Sequence, residues 1–159
     1  MTEFEVQEIV KSCISQLGSY SIRLSDANRL INAVMSEAER IGVRAVVAVC
    51  NAQTNPISVQ SADDAYIASY DIALNKSFTA TSLKMPTKKL GSLAQPGASL
   101  YGIQFTNGGK IVIFGGGEML CDKSGNIVGG LGVSGGSEEQ DTYLGEYGKK
   151  FFENNIMKG

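Results

Sequence analysis

The chain has 159 residues, of which 43% are hydrophobic and 19% are charged, and its net charge is −2. This balance is typical of a folded protein, so we expect a single domain over residues 1–159 and exclude a disordered chain. The weakly acidic charge offers no positive field for nucleic acid or an anionic membrane. No apolar run reaches the ~20 residues that span a bilayer, and the acidic N-terminus lacks a signal-peptide pattern, so we expect a cytoplasmic protein.

The residue inventory also limits the chemistry. There is no histidine, and the three cysteines Cys13, Cys50 and Cys121 are widely spaced. We therefore expect no metal site within the chain, with Cys13 and Cys50 buried as small core residues and Cys121 exposed. Without a histidine base, a Cys–His pair or a serine triad, no residue set for catalysis can be identified, and we predict a non-catalytic protein.

Apolar periodicity, caps and turn residues predict ten elements. In chain order these are a helix over residues 3–17 ending at Gly18, a helix over 27–41 capped at Leu24-Ser25-Asp26, strands over 43–50 and 57–60, a helix from the cap Asp63-Asp64 to before Pro86, a short helix over 86–94, a strand over 111–114 after a hairpin turn at 107–110, strands over 119–121 and 127–133, and a helix over 137–154. Because hairpins join the last three strands, we expect an antiparallel sheet with segregated helices, an α+β fold.

The segment 125–141 is the most informative part of the chain. Glycines alternate with apolar residues through 127–133, which predicts a strand that another element approaches closely. Two interpretations of the adjoining Gly/Ser residues stay open. Either backbone N–H groups and the positive end of the last helix hold a small anion, or the glycines serve only turns and packing, with Ser134 or Ser137 as the helix cap. The candidate residues are Gly115, Gly116, Gly117, Ser134, Gly135 and Gly136.

Four stretches resemble the GlcG/HbpS family, which also supplies the C-terminal domain of PduO-type proteins: residues 45–51, residues 73–80, Gly115-Gly116-Gly117, and 127–136 followed by Asp141. The resemblance covers nearly the whole chain. It implies a profilin-like fold, with a five-stranded antiparallel sheet and helices packed around it, in homo-oligomers. It also implies a small-molecule ligand, which is haem in some members, whereas others accompany glycolate or diol metabolism.

The absence of histidine argues against haem as the cofactor, because haem-binding members of the family use histidine as the axial ligand. Methionine, cysteine and tyrosine can also ligate haem iron. The remaining nominal ligands are Met35, Met85, Met119, Cys50 and the tyrosines. Unligated Met and Cys are ordinarily core residues, so the alternative of a haem sensor or storage protein with a non-histidine ligand stays secondary.

Lys76 and Asp141 complete the candidate ligand-binding set. Lys76 either enters the cleft and pairs with Asp141 or a ligand carboxylate, or lies along the surface with its stem over apolar residues. Asp141 either binds a ligand or ties the last helix to the preceding turn. The leading hypothesis is a non-catalytic small-ligand-binding or accessory protein with a glycine-lined cleft for a small anion. The alternative from another class is an enzyme subunit or accessory factor in small hydroxy-acid, diol or cobalamin metabolism.

Overall fold

The computed structural model describes residues 1–16 and 21–157, in which helices cover both faces of one antiparallel sheet. The helices and strands are α1 (Glu3–Gln16), α2 (Leu24–Arg40), β1 (Val46–Asn51), β2 (Pro56–Ser61), α3 (Ile67–Leu83), α4 (Thr87–Leu93), β3 (Gly117–Cys121), β4 (Ile127–Ser134) and α5 (Glu138–Phe151), with 3₁₀ turns at Ile103–Phe105 and Asn107–Gly109 and a π-helical turn at Phe152–Ile156. The α+β class predicted from the sequence is confirmed.

The sheet order is β2-β1-β4-β3, and all neighbouring strands are antiparallel. The β1–β2 turn is held by Asn51, whose Oδ1 accepts hydrogen bonds from the backbone N–H groups of Gln53 and Asn55 at 3.0 and 2.9 Å. Asp122 plays the same role in the β3–β4 turn, where its Oδ1 accepts from Ser124 N and Asn126 N. Such side-chain bonds to following N–H groups favour tight turns, and the β3–β4 hairpin forms as predicted from the sequence.

The described sheet has four strands, not the five expected, because residues 111–114 form no strand. Asn107, Gly108 and Gly109 all have positive φ, at 52°, 64° and 78°, and close a 3₁₀ turn instead of the predicted hairpin. The segment that follows bonds to a helix side chain: Val112 N donates to Thr79 Oγ1 at 3.0 Å. A glycine-rich turn predicts that the chain reverses direction there. A strand forms after the turn only if another strand of the fold lies beside it.

The two faces of the sheet are packed differently. Apolar side chains of β1 and β4, including Val47, Val49 and Leu131, form the main core with α2 and α5. On the opposite face, glycines of β4 lie against the backbone of α3, and a Cβ at Gly132 would collide with the carbonyl oxygen of Ala73. Two of the glycines thus have a direct cause: Gly130 and Gly132, two residues apart on β4, leave room for α3.

Two of the predicted helix caps are wrong. α2 begins at Leu24 with Arg23 as its N-cap residue, and Asp26 lies inside the first turn, 3.1 Å from Arg23 Nε. α3 begins only at Ile67, after Tyr66 and without a side-chain cap, while Asp64 adopts a left-handed backbone with φ 62° in the preceding turn. Asp favours turns as well as caps, so the sequence pattern alone does not separate the two roles.

Helix α1 extends from Glu3 to Gln16, and the predicted stop at Gly18 lies outside the described residues. All side chains of residues 3–14 are exposed, including the apolar stripe. The expectation that Cys13 is buried is therefore wrong, whereas Cys50 is buried and Cys121 is half-buried. The periodicity correctly predicts the helix, but no described element covers its apolar face.

Candidate functional site

Lys76 is a fully buried lysine in the middle of α3. Its Nζ donates hydrogen bonds to Asp141 Oδ2 at 2.8 Å and to the carbonyl oxygen of Val133 at 2.7 Å, and it lies 5.0 Å from the centre of the Phe114 ring. Burial lowers the pKa of Lys76, and the charge of Asp141 and its hydrogen bond oppose that shift. The surface alternative for Lys76 is thus wrong, and its pairing with Asp141 is present.

Asp141 uses its two carboxylate oxygens in different directions. Oδ2 accepts from Lys76, whereas Oδ1 accepts from the backbone N–H of Gly136 at 2.8 Å. The carboxylate therefore connects α3, the β4–α5 turn and the first turn of α5. Asp141 ties the last helix to the turn, as one of the two sequence interpretations predicted.

The N-terminus of α5 is capped within the chain. Ser137 Oγ accepts from Gln140 N, and Gln140 Oε1 accepts from Ser137 N at 2.9 Å, so the two form a capping box. Glu138 reaches across to Gly115, whose backbone N–H donates to Glu138 Oε1 at 3.0 Å. Several N–H groups that could have held an anion are therefore bonded to side chains of the protein itself.

The three consecutive glycines at the start of β3 permit close approach. Gly116 has φ 112°, a conformation that favours glycine, and a Cβ there would lie 2.8 Å from Lys76 Nζ. Gly117 N donates to Thr87 Oγ1 at 2.9 Å, and a Cβ at Gly115 would collide with Thr142 Oγ1. The three glycines thus let the start of β3 lie close to the Lys76–Asp141 pair and to Thr87 and Thr142.

A pocket of about 350 Å³ opens beside this pair. It contains four of the eight predicted residues, namely Ser134, Gly135, Gly136 and Asp141; Lys76 and the three glycines of 115–117 lie behind its wall. The remaining lining residues are Tyr66, Ala68, Ser69, Ile72, Phe114 and Glu138. The structure thus brings the predicted residues together as a pocket floor and the layer beneath it.

The apolar wall of the pocket was missed by sequence reasoning. Tyr66, Ile72 and Phe114 form it, and the hydroxyl of Ser134 donates to Ser69 Oγ at 3.1 Å along its base. The first turn of α3 carries exposed apolar side chains, with Ile67 97% exposed and Tyr66 74% exposed. Apolar residues outside the packing face of a helix are the signal that could have pointed to this wall.

Two further features concern the described residues as a whole. No helix in residues 1–16 or 21–157 is both long and apolar enough to cross a bilayer. Across the same residues, no three Cys, Asp or Glu side chains are grouped so that they could hold a metal ion.

This geometry defines a class of protein: an antiparallel α+β domain with a buried lysine–aspartate pair beneath a pocket. Residues 22–149 match the family model described as HbpS-like, haem degrading protein HbpS-like. The chain belongs to the HbpS-like family, which confirms the resemblance stated from the sequence.

Three relatives illustrate this membership. An uncharacterized 15.0 kDa protein from the dhaT-dhaS intergenic region of Citrobacter freundii is 44% identical over 79% of this chain and 88% of its own length. The corrinoid adenosyltransferase PduO of Citrobacter freundii is 34% identical over 86% of this chain, which corresponds to only 41% of that protein. The crystal structure of a PduOC–haem complex is 35% identical with a TM-score of 0.78, covering 82% of this chain and 94% of the other.

Proposed function

We propose that this protein is a non-catalytic, small-ligand-binding member of the HbpS-like family, with its ligand in the pocket between the first turn of α3 and the Ser134–Gly136 turn. The observation that carries the proposal is a pocket of about 350 Å³ whose floor is held by the buried Lys76–Asp141 pair. That volume lies within the range of small-molecule sites, which combine apolar walls with a few placed polar groups. A floor that is already ordered loses little conformational entropy of its own when a ligand binds.

The lining favours an uncharged ligand with an apolar part and a hydroxyl or carbonyl group. Tyr66, Ile72 and Phe114 supply apolar contact, and the Ser69–Ser134 hydroxyl pair supplies hydrogen bonds. The positive charge of Lys76 is already matched by Asp141, and Glu138 adds a negative group at the rim. The small anion expected from the sequence would need to displace Glu138 from the Gly115 N–H.

Binding rather than chemical conversion is proposed because the two carboxylates that line the pocket hold parts of the fold together. Asp141 accepts hydrogen bonds from Lys76 and Gly136, and Glu138 accepts one from Gly115. An accessory role beside enzymes of hydroxy-acid, diol or cobalamin metabolism remains the second hypothesis, supported by similarity to part of PduO.

Haem fits this pocket poorly. Its propionates would meet the carboxylate of Glu138, while the charge of Lys76 is already matched by Asp141. Cys50 is buried, with its Sγ 3.5 Å from the carbonyl oxygen of Ser77. Tyr66 lines the pocket and is 74% exposed, so its hydroxyl is a candidate oxygen ligand for iron. A haemin titration followed by absorbance tests this alternative.

Assembly as a homo-oligomer is proposed from the exposed start of α3. Tyr66, Ile67 and Tyr70 are neighbours there and are each at least half exposed. Contiguous exposed apolar side chains commonly mark a protein interface. An interface at this position would lie beside the pocket mouth, so light scattering with and without a bound ligand measures whether the two are linked.

A ligand screen with a pocket-blocking variant tests the proposed function. Small polyols, hydroxy ketones, carboxylates and haemin are added while amide NMR shifts, melting temperature and haemin absorbance are recorded. The exposed pocket residue Ala68 is replaced in Ala68→Trp, and the exposed α3 residue Ser82, which does not line the pocket, is replaced in the control Ser82→Trp. We expect saturable shifts at Ser69 and Ser134 that disappear only in Ala68→Trp.

The charge of the ligand is resolved by a second variant. In Glu138→Gln a carboxylate no longer competes for Gly115 N–H, so binding of an anion should strengthen while binding of a neutral ligand stays unchanged. Shifts that persist in Ala68→Trp, or no saturable shift with any compound, would refute the pocket as the binding site.

A further inference from the structure

Glu118 is a buried carboxyl group that no described residue satisfies. It lies on the edge strand β3 and is 5% exposed. No hydrogen bond or ion pair joins its side chain to any other residue of 1–16 or 21–157, and its carboxyl oxygens are not fully enclosed. A largely buried carboxyl group without a partner costs free energy, and the cost is larger when the group is charged. Glu118 is therefore a group for which a ligand could supply the missing partner.

Its carboxyl group lines a groove of about 680 Å³ between α4 and α5. Pro86 and Ser92 contribute to the walls, and the remaining lining residues are charged: Lys88, Lys89, Glu118, Glu146, Lys149, Lys150 and Glu153. Across the described residues, none of these seven side chains forms an ion pair. Gly145 of α5 lies close to this strand: a Cβ there would be 3.2 Å from the carbonyl oxygen of Gly116 and in ordinary contact with Glu118 Cγ at 3.4 Å.

The electrostatics of the groove favour an anion. Burial raises the pKa of Glu118 to about 7; Lys149 and Lys88 oppose this shift, whereas Glu146 and Glu153 add to it. Near neutral pH the carboxyl thus holds a proton in about half of the molecules. Burial also raises the pKa of Cys121, next to the groove on β3, so its thiol stays neutral in this range. With Glu118 protonated, four lysines face two ionised glutamates.

We infer that this groove binds a small oxyanion, with the carboxyl group of Glu118 in its lining and the four lysines, above all Lys149, supplying the positive charge. When Glu118 carries a proton, its carboxyl group can donate a hydrogen bond to the anion. Lys149 is the half-buried lysine of the four, so water screens its charge least. The site shares no lining residue with the pocket of the proposed function. A failure of one therefore leaves the other intact.

Inorganic sulfate is the probe, because its charge does not change between pH 6 and pH 8. Wild-type protein is titrated at both pH values at constant ionic strength, and amide shifts of residues 117–119 and 146–150 are followed. We expect saturable binding that is about tenfold weaker at pH 8, since the fraction of protein with protonated Glu118 falls about tenfold. Retained binding at both pH values is expected in Glu118→Gln, whose amide always donates.

The lysine variants separate a built site from general surface charge. Lys149→Gln should weaken sulfate binding at least several-fold at both pH values, whereas the exposed and distant Lys11→Gln should leave it unchanged. Should Lys149→Gln fail to fold, as judged by its amide spectrum, the double variant Lys88→Gln/Lys89→Gln replaces it. The inference is overturned by absence of saturable binding at pH 6, by binding that strengthens toward pH 8, or by equal effects of Lys11→Gln and the groove variants.

Discussion

The ammonium of Lys76 and the carboxylate of Asp141 are 65 residues apart in the sequence, yet their Nζ and Oδ2 atoms lie 2.8 Å apart inside the protein. Their side chains are 0% and 5% exposed. The pair connects α3 to α5 across the end of β4, and it supports the turn that forms the pocket floor. Its energetics therefore affect both the stability of the fold and the shape of the site.

Removing one member of this pair should be costly. We expect Lys76→Met to lower the free energy of unfolding by about 3–5 kcal/mol, because a buried carboxylate is left without its cation. Lys76→Met/Asp141→Asn should recover much of that loss, since the neutral amide oxygen can still accept from Gly136 N. Urea unfolding of both single variants and the double variant measures the coupling. Additive effects, with no recovery in the double variant, would contradict a coupled pair.

The glycines of β4 should be intolerant of a side chain. In Gly132→Ala the new Cβ meets the backbone oxygen of Ala73, so α3 has to move and we expect a loss of about 1–3 kcal/mol or more. Gly97→Ala is the comparison, because that site is open and its φ of 83° imposes only backbone strain of about 1–2 kcal/mol. Chemical denaturation measures both. Only Gly132→Ala should also shift the amide resonances of α3, and unchanged resonances there would argue against the close contact.

Between about pH 4.5 and pH 7, Glu118 should make the free energy of unfolding fall as the pH rises. Burial raises the pKa of Glu118 from its ordinary value of 4.5 to about 7 in the folded protein, so the folded state binds more protons between these values. Stability from this group is present below about pH 4.5 and is lost as the pH rises through 7, by up to about 3 kcal/mol. Glu118→Gln should flatten that part of the stability profile. Identical slopes in wild type and variant would contradict the shifted pKa.

Helix α1 should contribute little to the stability of the sheet domain. Ile14 is 65% exposed, whereas Ile31 of α2 is fully buried. We expect Ile14→Ala to change the free energy of unfolding by no more than about 0.5 kcal/mol and Ile31→Ala to lower it by about 2–5 kcal/mol. Deletion of residues 1–16 should likewise leave the melting temperature nearly unchanged. A large loss on deletion at low protein concentration would mean that α1 packs on the domain.

Local patterns in the sequence were sufficient for most elements. The period of the apolar residues predicts α2 and α5, and the β-branched run predicts β1, because these signals depend on neighbours within one or two turns of chain. The same reasoning failed at residues 107–114 and at two helix caps, where Asn, Asp and Gly fit several turn geometries equally well. Choosing among them depends on tertiary contacts, such as the bond from Val112 N to Thr79 Oγ1.

The sequence by itself determined the α+β class, the family and the close approach of an element to β4, because glycine alternation and helical periodicity are properties of the chain alone. Only the tertiary structure decided that Lys76 is buried against Asp141, that Glu138 occupies the Gly115 N–H, and that Tyr66 and Phe114 face one pocket. The physical reason is that pairing and desolvation depend on distances between residues far apart in sequence. A lysine on a helix has the same local pattern whether its ammonium meets water or a buried carboxylate.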